Sequence, residues 1–217
     1  MPRLKPDIQR ARHQHILDKA ELCFARNGFH RTTMQDICRE AEVSPGALYV
    51  YFDSKEALIA GIAERDRAEF AERFAPLASA TDVMGALGTL AQKYFTEEPA
   101  HKRLMCVEIG LESTRNDRVG QIFRAVDSYV VASFESLFNR LKDQGRIAPL
   151  LDTPTLARVV VTIGDGLFWR RAIDRDFDMA AVLPAIMQMI GTVLRPVPAF
   201  DVASADTTPT ETEKVGS

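Results

Sequence analysis

The chain has 217 residues, a formal net charge of −3 and an ordinary balance of hydrophobic and charged residues. This length suits one large globular domain or two small ones. No apolar run approaches the roughly 18–20 residues needed to span a bilayer, and residues 1–7 lack the apolar segment of a secretory signal. We therefore expect neither a membrane-embedded nor a secreted protein. The odd number of cysteines (Cys23, Cys38 and Cys106) predicts buried free thiols in a cytoplasmic protein.

The charge is distributed unevenly along the chain. Residues 1–55 carry nine Lys and Arg against seven Asp and Glu, whereas the remainder carries 18 against 23. A slightly basic N-terminal segment on an acidic body fits a small module that binds a polyanion, but the excess is too small to decide the function.

The predicted elements are helices throughout, because apolar residues recur at helical spacing and no strand alternation is convincing. A capping box at Thr32–Gln35 is predicted to begin the second helix, and Ser44 with Pro45 to begin the third. The predicted helices span about residues 9–26, 32–41, 44–52, 55–75, 83–95, 101–113, 118–144, 153–171 and 179–194.

The stretch from Thr32 to Leu58 has the spacing of a helix-turn-helix, in which the second helix can enter the DNA major groove. Leu48 and Phe52 lie four residues apart and are predicted to face inward. The opposite face is poor in charge and rich in small residues, which allows close approach to base edges and thymine methyl groups. That face consists of Pro45, Gly46, Ala47, Tyr49 and Val50.

Phosphate contacts are expected at the starts of two helices. A lysine in the first turn, as at Lys55, opposes the helix dipole unless an anion lies there, and a DNA phosphate is the natural candidate. Thr32 and Thr33 offer hydroxyls for a second phosphate. Two alternatives remain at this point: a helical hairpin that merely packs, and a packing role for Tyr49 alone.

These residues closely resemble the DNA-binding signature of the TetR family of transcriptional regulators. The resemblance covers about residues 10–60, and it implies an all-helical homodimer, usually a repressor, that leaves a palindromic operator when a small effector binds. One departure is Glu42, where the family usually has glycine in the turn. The motifs are Gly28-Phe29, Thr32-Thr33, Ile37, Ala41-x-Val43-Ser44, Gly46-x-Leu48-Tyr49-x-Tyr51-Phe52, Ser54-Lys55-Glu56 and Leu58.

The resemblance and the residue patterns together define the predicted DNA contacts and domains. By position, the resemblance adds Ser44 and Tyr51 to the contacts already named, giving Thr32, Thr33, Ser44, Pro45, Gly46, Ala47, Tyr49, Val50, Tyr51 and Lys55. The predicted all-α organisation has a long helix joining two helical domains. Its parts are a flexible basic arm (1–9, with Arg3 and Lys5), a helix-turn-helix domain (10–54), an effector-binding and dimerisation domain (55–195) and a disordered tail (196–217).

The last two helices are predicted to form the dimer interface. Residues 160–178 weakly resemble BetI-like members of the family, in which the corresponding helix and the last helix pair with their copies. Both predicted helices are apolar over more than one face, which fits packing on a core and on a partner; two buried helices of a monomer are the alternative. The predicted interface residues are Leu156, Val159, Val160, Ile163, Leu167, Val182, Ile186, Met189, Ile190 and Val193.

Polar residues within apolar helices mark a candidate effector pocket. Glu108 and Asp165 are such residues, and aromatic and methionine side chains would supply a lining for a hydrophobic or amphipathic effector. The alternative is that Glu108 pairs with Arg170 and the aromatic side chains are core. The predicted pocket residues are Phe95, Met105, Glu108, Phe123, Phe134, Asp165, Phe168 and Trp169.

The sequence therefore predicts a DNA-binding regulator with operator DNA, a second copy of itself and a small effector as partners. We expect no catalysis, cofactor or metal, because phosphate loops, nucleophile elbows and zinc-type spacings are lacking. The alternatives are a helical ligand- or partner-binding protein that does not bind DNA, an architectural DNA-binding protein without an effector, and an activator instead of a repressor.

Overall fold

The N-terminal half of the fold is a succession of helices whose starts are set by proline and by capping side chains. The structure is a computed structural model and describes residues 5–197. Within that range the helices are α1 (Pro6–Asn27), α2 (Met34–Glu40), α3 (Pro45–Tyr49), α4 (Lys55–Phe74), α5 (Val83–Gln92), α6 (Ala100–Glu112), α7 (Asp117–Asp143), α8 (Thr153–Ile173) and α9 (Met179–Leu194).

The all-α prediction is confirmed. The only β pairing among residues 5–197 is an isolated bridge between Ile147 and Pro196. A 3-10 turn at Ala75–Ala78 follows α4, and a π turn at Lys93–Glu97 follows α5. None of the described helices is both long and apolar enough to cross a bilayer.

Helix α1 begins earlier than the sequence predicted. Pro6 occupies the first helical position and Asp7 lies in the first turn, both of which favour a helix start there. Residues 6–9 are therefore helical, which corrects the expectation that they belong to a flexible arm. Arg3 of that arm, and residues 198–217 of the predicted disordered tail, lie outside the described residues.

The capping box of α2 lies one residue later than predicted. The Thr33 hydroxyl accepts the N–H of Asp36, and the Asp36 carboxylate accepts the N–H of Thr33. The hydroxyl of Thr32 instead donates inside the chain, with the Gly28 carbonyl oxygen at 2.8 Å and that of Cys23 at 3.1 Å. Thr32 is thus a buried residue whose hydroxyl bonds the end of α1 and the loop after it, and it does not cap α2.

The turn between α2 and α3 carries a residue in the left-handed region. Glu42 has φ of 54°, at the position where the family usually has glycine. A non-glycine residue costs on the order of 1 kcal/mol in this conformation. The N–H of Val43 bonds the Cys38 carbonyl at 3.0 Å and closes the turn. On the other side of the turn the Ser44 hydroxyl accepts the N–H of Ala47, as predicted.

Two large apolar clusters organise the packing. The first joins α1–α4 to α6 and α7, because Met105, Ile109 and Val119 lie in the same cluster as Phe24 and Leu48. The second is built from α4–α5, α7, α8 and α9. The helices that carry the DNA-binding signature therefore share a core with the first part of the larger helical body.

Candidate nucleic-acid interface and ligand cavity

Helix α3 has one buried and one exposed face, as predicted. Leu48 is fully buried and Phe52, which follows the helix, is nearly so. On the other side Tyr49 is 54% exposed and Val50 is 78% exposed, and neither is covered by any other part of residues 5–197. The remaining members of this face, Pro45 and Gly46, are exposed, and Ala47 is half-buried. Apolar side chains held in solvent in this way indicate a surface that meets a partner.

Gly46 leaves open space on that face. A Cβ at this position would meet no heavy atom within 4 Å, and the residue does not have a positive φ. Neither packing nor backbone geometry within the described chain therefore requires glycine here. A residue without a side chain leaves room for a partner to approach the first turn of α3 closely.

Two predicted contacts have roles within the chain. The Lys55 ammonium donates to the Phe29 carbonyl at 2.5 Å and lies 4.2 Å from the centre of the Phe29 ring. A cation in the first turn of α4 is thus explained without an external anion. Tyr51 is half-buried against the N-terminal core, with its ring edge on His13.

Thr33 and Ser44 are exposed, whereas Thr32 is buried and its hydroxyl is occupied. The prediction that Thr32 contacts phosphate is therefore wrong for its side chain.

A cavity of about 350 Å³ lies inside the larger helical body, between α4, α5, α6, α7, α8 and α9. Its wall is mostly apolar, with aromatic rings contributed by several helices. Five of the eight residues predicted for the pocket line it: Phe95, Phe123, Phe134, Asp165 and Phe168.

The other three predicted pocket residues lie elsewhere. Met105 is buried in the N-terminal apolar cluster. Glu108 accepts the backbone N–H of Phe29 at 2.8 Å, so it neither lines the cavity nor pairs with Arg170. Trp169 is 49% exposed and lies on the outer side of α8. The direction in which each residue of an apolar helix points depends on the neighbouring helices, which the local sequence does not reveal.

One end of the cavity wall carries an ion-pair network. The Lys102 ammonium lies 3.0 Å from Glu69, 3.6 Å from Asp66 and 3.8 Å from Glu98. Arg73 also pairs with Glu98, at 3.3 Å. The charges at this end are thus largely satisfied by one another.

Two titratable groups in the wall remain protonated at neutral pH. Burial raises the pKa of the Tyr94 phenol to about 12, against a smaller opposing effect of Arg73. Burial, followed by the negative charges of Asp66 and Glu21, raises the pKa of the Cys106 thiol to about 12. Cys106 lines the cavity, so the prediction of three thiols packed in the core holds for Cys23 and Cys38 only. The Cys106 thiol is a neutral part of the wall.

Helices α4 and α6 connect this cavity to the DNA-binding helices. Arg65 of α4 pairs with the buried Glu21 of α1, and the imidazole of His101 lies 3.3 Å from the same carboxylate. Farther along α6, Glu108 holds the loop after α1 through its bond to Phe29. These contacts join two helices of the cavity wall to α1, at Glu21, and to the loop between α1 and α2, at Phe29.

The apolar stripe that was predicted for the dimer interface mostly faces the interior. Leu156 and Leu167 are buried in separate apolar clusters of their own chain. They are therefore wrong as interface residues. Val182 and Val193 are partly buried against the same clusters. The cavity wall takes four of the others: Val160, Ile163, Ile186 and Ile190.

A second stripe on α8 points outward. Val159, Thr162, Gly166, Trp169 and Ile173 recur at alternating spacings of three and four residues, and all are exposed. On α9, Met189 is 61% exposed. Small and polar residues accompany it on that side of the helix: Ala181, Ala185, Gln188 and Thr192. A 3–4 repeat of this kind is the pattern by which helices pack side by side.

Sequence reasoning missed several residues of the cavity. Asp127, Tyr129 and Tyr94 line it but lie in amphipathic helices with many other polar residues. The signal that could have found Asp127 is its helical spacing from Phe123, Val130 and Phe134, which places all four on one side of α7.

Comparisons with known proteins agree with this architecture. A family model described as "Bacterial regulatory proteins, tetR family" matches residues 16–62. The HTH-type transcriptional regulator UidR of Escherichia coli K12 is 28% identical over 180 residues, which cover 82% of this chain and 91% of that protein.

Solved structures with the same fold include regulators. Salmonella enterica GusR has a TM-score of 0.73 and 29% identity, covering 85% of this chain and 96% of that one. Bacillus subtilis FadR in complex with stearoyl-CoA has a TM-score of 0.70 and 19% identity, covering 82% of this chain and 97% of that one. The relatives are transcriptional regulators and not enzymes. With the helix-turn-helix geometry and the matched signature, these likenesses support the identification of the chain as a TetR-family transcriptional regulator.

Proposed function

We propose that this regulator is a homodimeric repressor that leaves a palindromic operator when a small hydrophobic or amphipathic effector enters the cavity. The observation that carries the proposal is the uncharged face of α3, where Tyr49 and Val50 stand exposed opposite the fully buried Leu48. A solvated helix face normally carries Lys or Glu, whereas this one suits contact with base edges.

The proposed DNA interface is smaller than the sequence predicted. Base contacts come from Gly46, Ala47 and Tyr49 of α3 and from Val50, which directly follows the helix. At the exposed N-termini of α2 and α3, the N–H groups of the first turns and the Ser44 hydroxyl are offered to phosphates, whereas the N–H and the hydroxyl of Thr33 already donate to the Asp36 carboxylate. Thr32 is omitted because its hydroxyl is bonded inside the chain. Lys55 and Tyr51 would act mainly by holding the reading helix in place.

The proposed dimer interface is the outward stripe of α8 together with the exposed side of α9. Its 3–4 repeat and its small residues permit close helix packing. Pairing of these stripes would bury Trp169, Ile173 and Met189, which are exposed in the single chain. A dimer reads two half-sites when its recognition helices lie about 34–36 Å apart.

Effector binding can reach the DNA-binding helices by two routes. The 20 residues of α4 form a rod of about 30 Å that begins next to α3 and supplies Phe70 to the cavity. Helix α6 contributes Lys102 to the cavity and Glu108 to the loop before α2. Moving the population from 1% to 99% released requires about 5.5 kcal/mol of differential effector affinity.

DNA binding by the full chain is expected to be specific and steeply salt-dependent. Genomic fragments retained by the protein would be sequenced, and their affinity measured by gel shift between about 50 and 200 mM salt. Phosphate contacts predict a loss of about 10³-fold or more over this range. The fragments should share a palindrome, and a reporter gene placed behind it should be repressed by the protein.

Other outcomes of this experiment would replace the proposal. Absent or salt-independent retention would indicate a ligand- or partner-binding protein that does not bind DNA. Retention without a shared palindrome would indicate an architectural DNA-binding protein, and increased reporter expression would indicate an activator.

Replacement of Trp169 by alanine is expected to weaken the dimer. A large aromatic side chain at the centre of an interface commonly contributes about 2 kcal/mol or more, so the dissociation constant should rise about 30-fold. Sedimentation equilibrium would measure it. Since Trp169 is the single tryptophan, its emission in the unmodified protein should also shift to the red on dilution.

The matched control is Ile8→Ala, which removes another exposed apolar side chain, on α1. It should leave the dissociation constant unchanged. A monomer at all concentrations, or a dimer that ignores the Trp169 substitution, would contradict the assigned interface.

A further inference from the structure

The cavity wall carries more negative than positive side chains. Five of its lining residues are acidic, whereas only Arg67 and Lys102 are basic. Lys102 is already paired with three carboxylates, and the Arg67 guanidinium lies 5.4 Å from the centre of the Tyr129 ring. Lys102 is thus not free to receive a ligand anion without giving up an existing contact, whereas Arg67 is exposed, has no ion pair with any of residues 5–197 and keeps its N–H donors.

The excess negative charge is concentrated on α7 and α8. Asp127 of α7 and Asp165 of α8 both line the cavity, and neither has an ion pair or side-chain hydrogen bond with any of residues 5–197. Burial, followed by the negative charge of Asp127, raises the pKa of the Asp165 carboxyl. Two carboxylates in the same cavity wall with no paired cation disfavour each other's charge, and an arriving cation would relieve both.

The surroundings of these carboxylates suit an organic cation. The rings of Phe95, Phe123 and Phe168 line the same cavity, and aromatic faces attract ammonium groups that approach within about 6 Å. Phe123 and Asp165 line the cavity but are each partly exposed to solvent, which places them towards the opening, whereas Phe134 is buried. A charged head at the opening and an apolar body inside would match this arrangement.

We propose that the effector is a lipophilic cation, an amine or quaternary ammonium with an apolar body, whose charged head lies between Asp127 and Asp165. This inference rests on the proposed function, since it names the chemical class of the effector. An anionic amphiphile such as an acyl-CoA would bring its phosphates against the unpaired carboxylates and would be disfavoured, although the FadR structure with a similar fold contains stearoyl-CoA.

The test compares two probes that share a chain length and differ in the sign of the head. Decyltrimethylammonium and decyl sulfate would be titrated into the full-length protein by calorimetry, well below the concentrations at which they form micelles. The cation is expected to bind at least about tenfold more tightly, which corresponds to about 1.4 kcal/mol. Stearoyl-CoA should bind more weakly than the cation as well.

Variants then locate the head group. Asp127→Asn and Asp165→Asn should each reduce the affinity for decyltrimethylammonium by about tenfold and should not weaken decyl sulfate. Asp143→Asn removes the same charge from an exposed position near the end of α7 and should leave both affinities unchanged. Thermal melting of each variant verifies that it is folded.

The outcomes separate this inference from the proposed function. Equal or tighter binding of decyl sulfate or stearoyl-CoA, or Asn variants that behave like Asp143→Asn, would overturn the cationic class while DNA binding and repression remain. Cation binding that depends on both aspartates but does not release DNA in a gel shift would support the cationic site and contradict effector-controlled repression.

Discussion

Gly46→Glu is expected to lower operator affinity by at least about a hundredfold while leaving the fold intact. A side chain at this position meets no heavy atom within 4 Å in the free protein. A carboxylate in the first turn of a helix is favourable towards the helix dipole, and loss of a helical glycine is also favourable. We therefore expect the free energy of unfolding to stay equal or to rise by about 0.5 kcal/mol.

The loss of DNA affinity follows from what would face the new side chain. On the exposed face of α3 a glutamate would occupy the space proposed for base edges and would bring a negative charge close to phosphates. Like charges placed against each other cost several kcal/mol, and a hundredfold loss corresponds to about 2.8 kcal/mol. Gel shift with the selected operator and urea unfolding would measure the two effects separately.

Gly88→Glu is the matched control. Gly88 lies within α5, and a Cβ there also meets nothing within 4 Å. The substitution introduces the same charge far from α3 and should leave operator affinity unchanged. Equal losses for both variants would mean that the effect comes from net charge alone, and an unaffected Gly46→Glu protein would show that α3 does not read DNA.

The DNA-binding helices could be predicted because the sequence signals that form them lie close together in the chain. Ser44 caps α3 four residues before Leu48, so the cap and the buried side chain lie within one short segment. The bounds of α9 could be predicted for the same reason, since Asp178 caps the start of the helix and its apolar residues end at Leu194. Even here a one-residue error was possible: Thr32 and Thr33 are both threonines, and only the packing against α1 decides which of them caps α2.

The cavity and the outer face of α8 could not be predicted because they depend on long-range packing. The most apolar stripe of α8 was interpreted as a dimer interface. Its residues Val160 and Ile163 instead point inward and line the cavity, whose wall is mostly apolar. The exposed stripe contains Thr162 and Gly166 and therefore looked less hydrophobic. Likewise, Glu108 is an isolated acid in an apolar helix whether it faces a ligand or, as it does, the N–H of Phe29.

Arg65→Met is expected to reduce the free energy of unfolding by about 3–5 kcal/mol at neutral pH. Arg65 of α4 pairs with Glu21 of α1, whose side chain is only 3% exposed, and it also lies 2.9 Å from Asp18. Removing one partner of a buried ion pair leaves an uncompensated charge in a medium of low polarity, which is strongly destabilising. Urea unfolding followed by circular dichroism would measure the loss.

Two controls separate the buried charge from other effects. Arg26→Met breaks the exposed pair with Glu40 and should cost no more than about 1 kcal/mol. The double variant Glu21→Gln/Arg65→Met removes the stranded carboxylate and should recover much of the loss. If the single variant does not fold, folding of the double variant would still support the assignment, whereas a double variant no more stable than the single would contradict it.

The pH dependence gives the sharpest form of this prediction. Burial raises the pKa of the Glu21 carboxyl above its ordinary value of 4.5, and the hydrogen bond and charge of Arg65 oppose that rise. Without Arg65 the folded-state pKa climbs further, while the unfolded-state pKa does not change. Between those two values the folded chain binds more protons than the unfolded chain, so stability falls as pH rises. The Arg65→Met protein should therefore approach the unmodified protein in stability near pH 4.5 and diverge from it as the pH rises towards the folded-state pKa of the stranded Glu21 carboxyl. A deficit that stays constant across this range would show that lost packing, and not the Glu21 charge, is responsible, because packing carries no proton linkage.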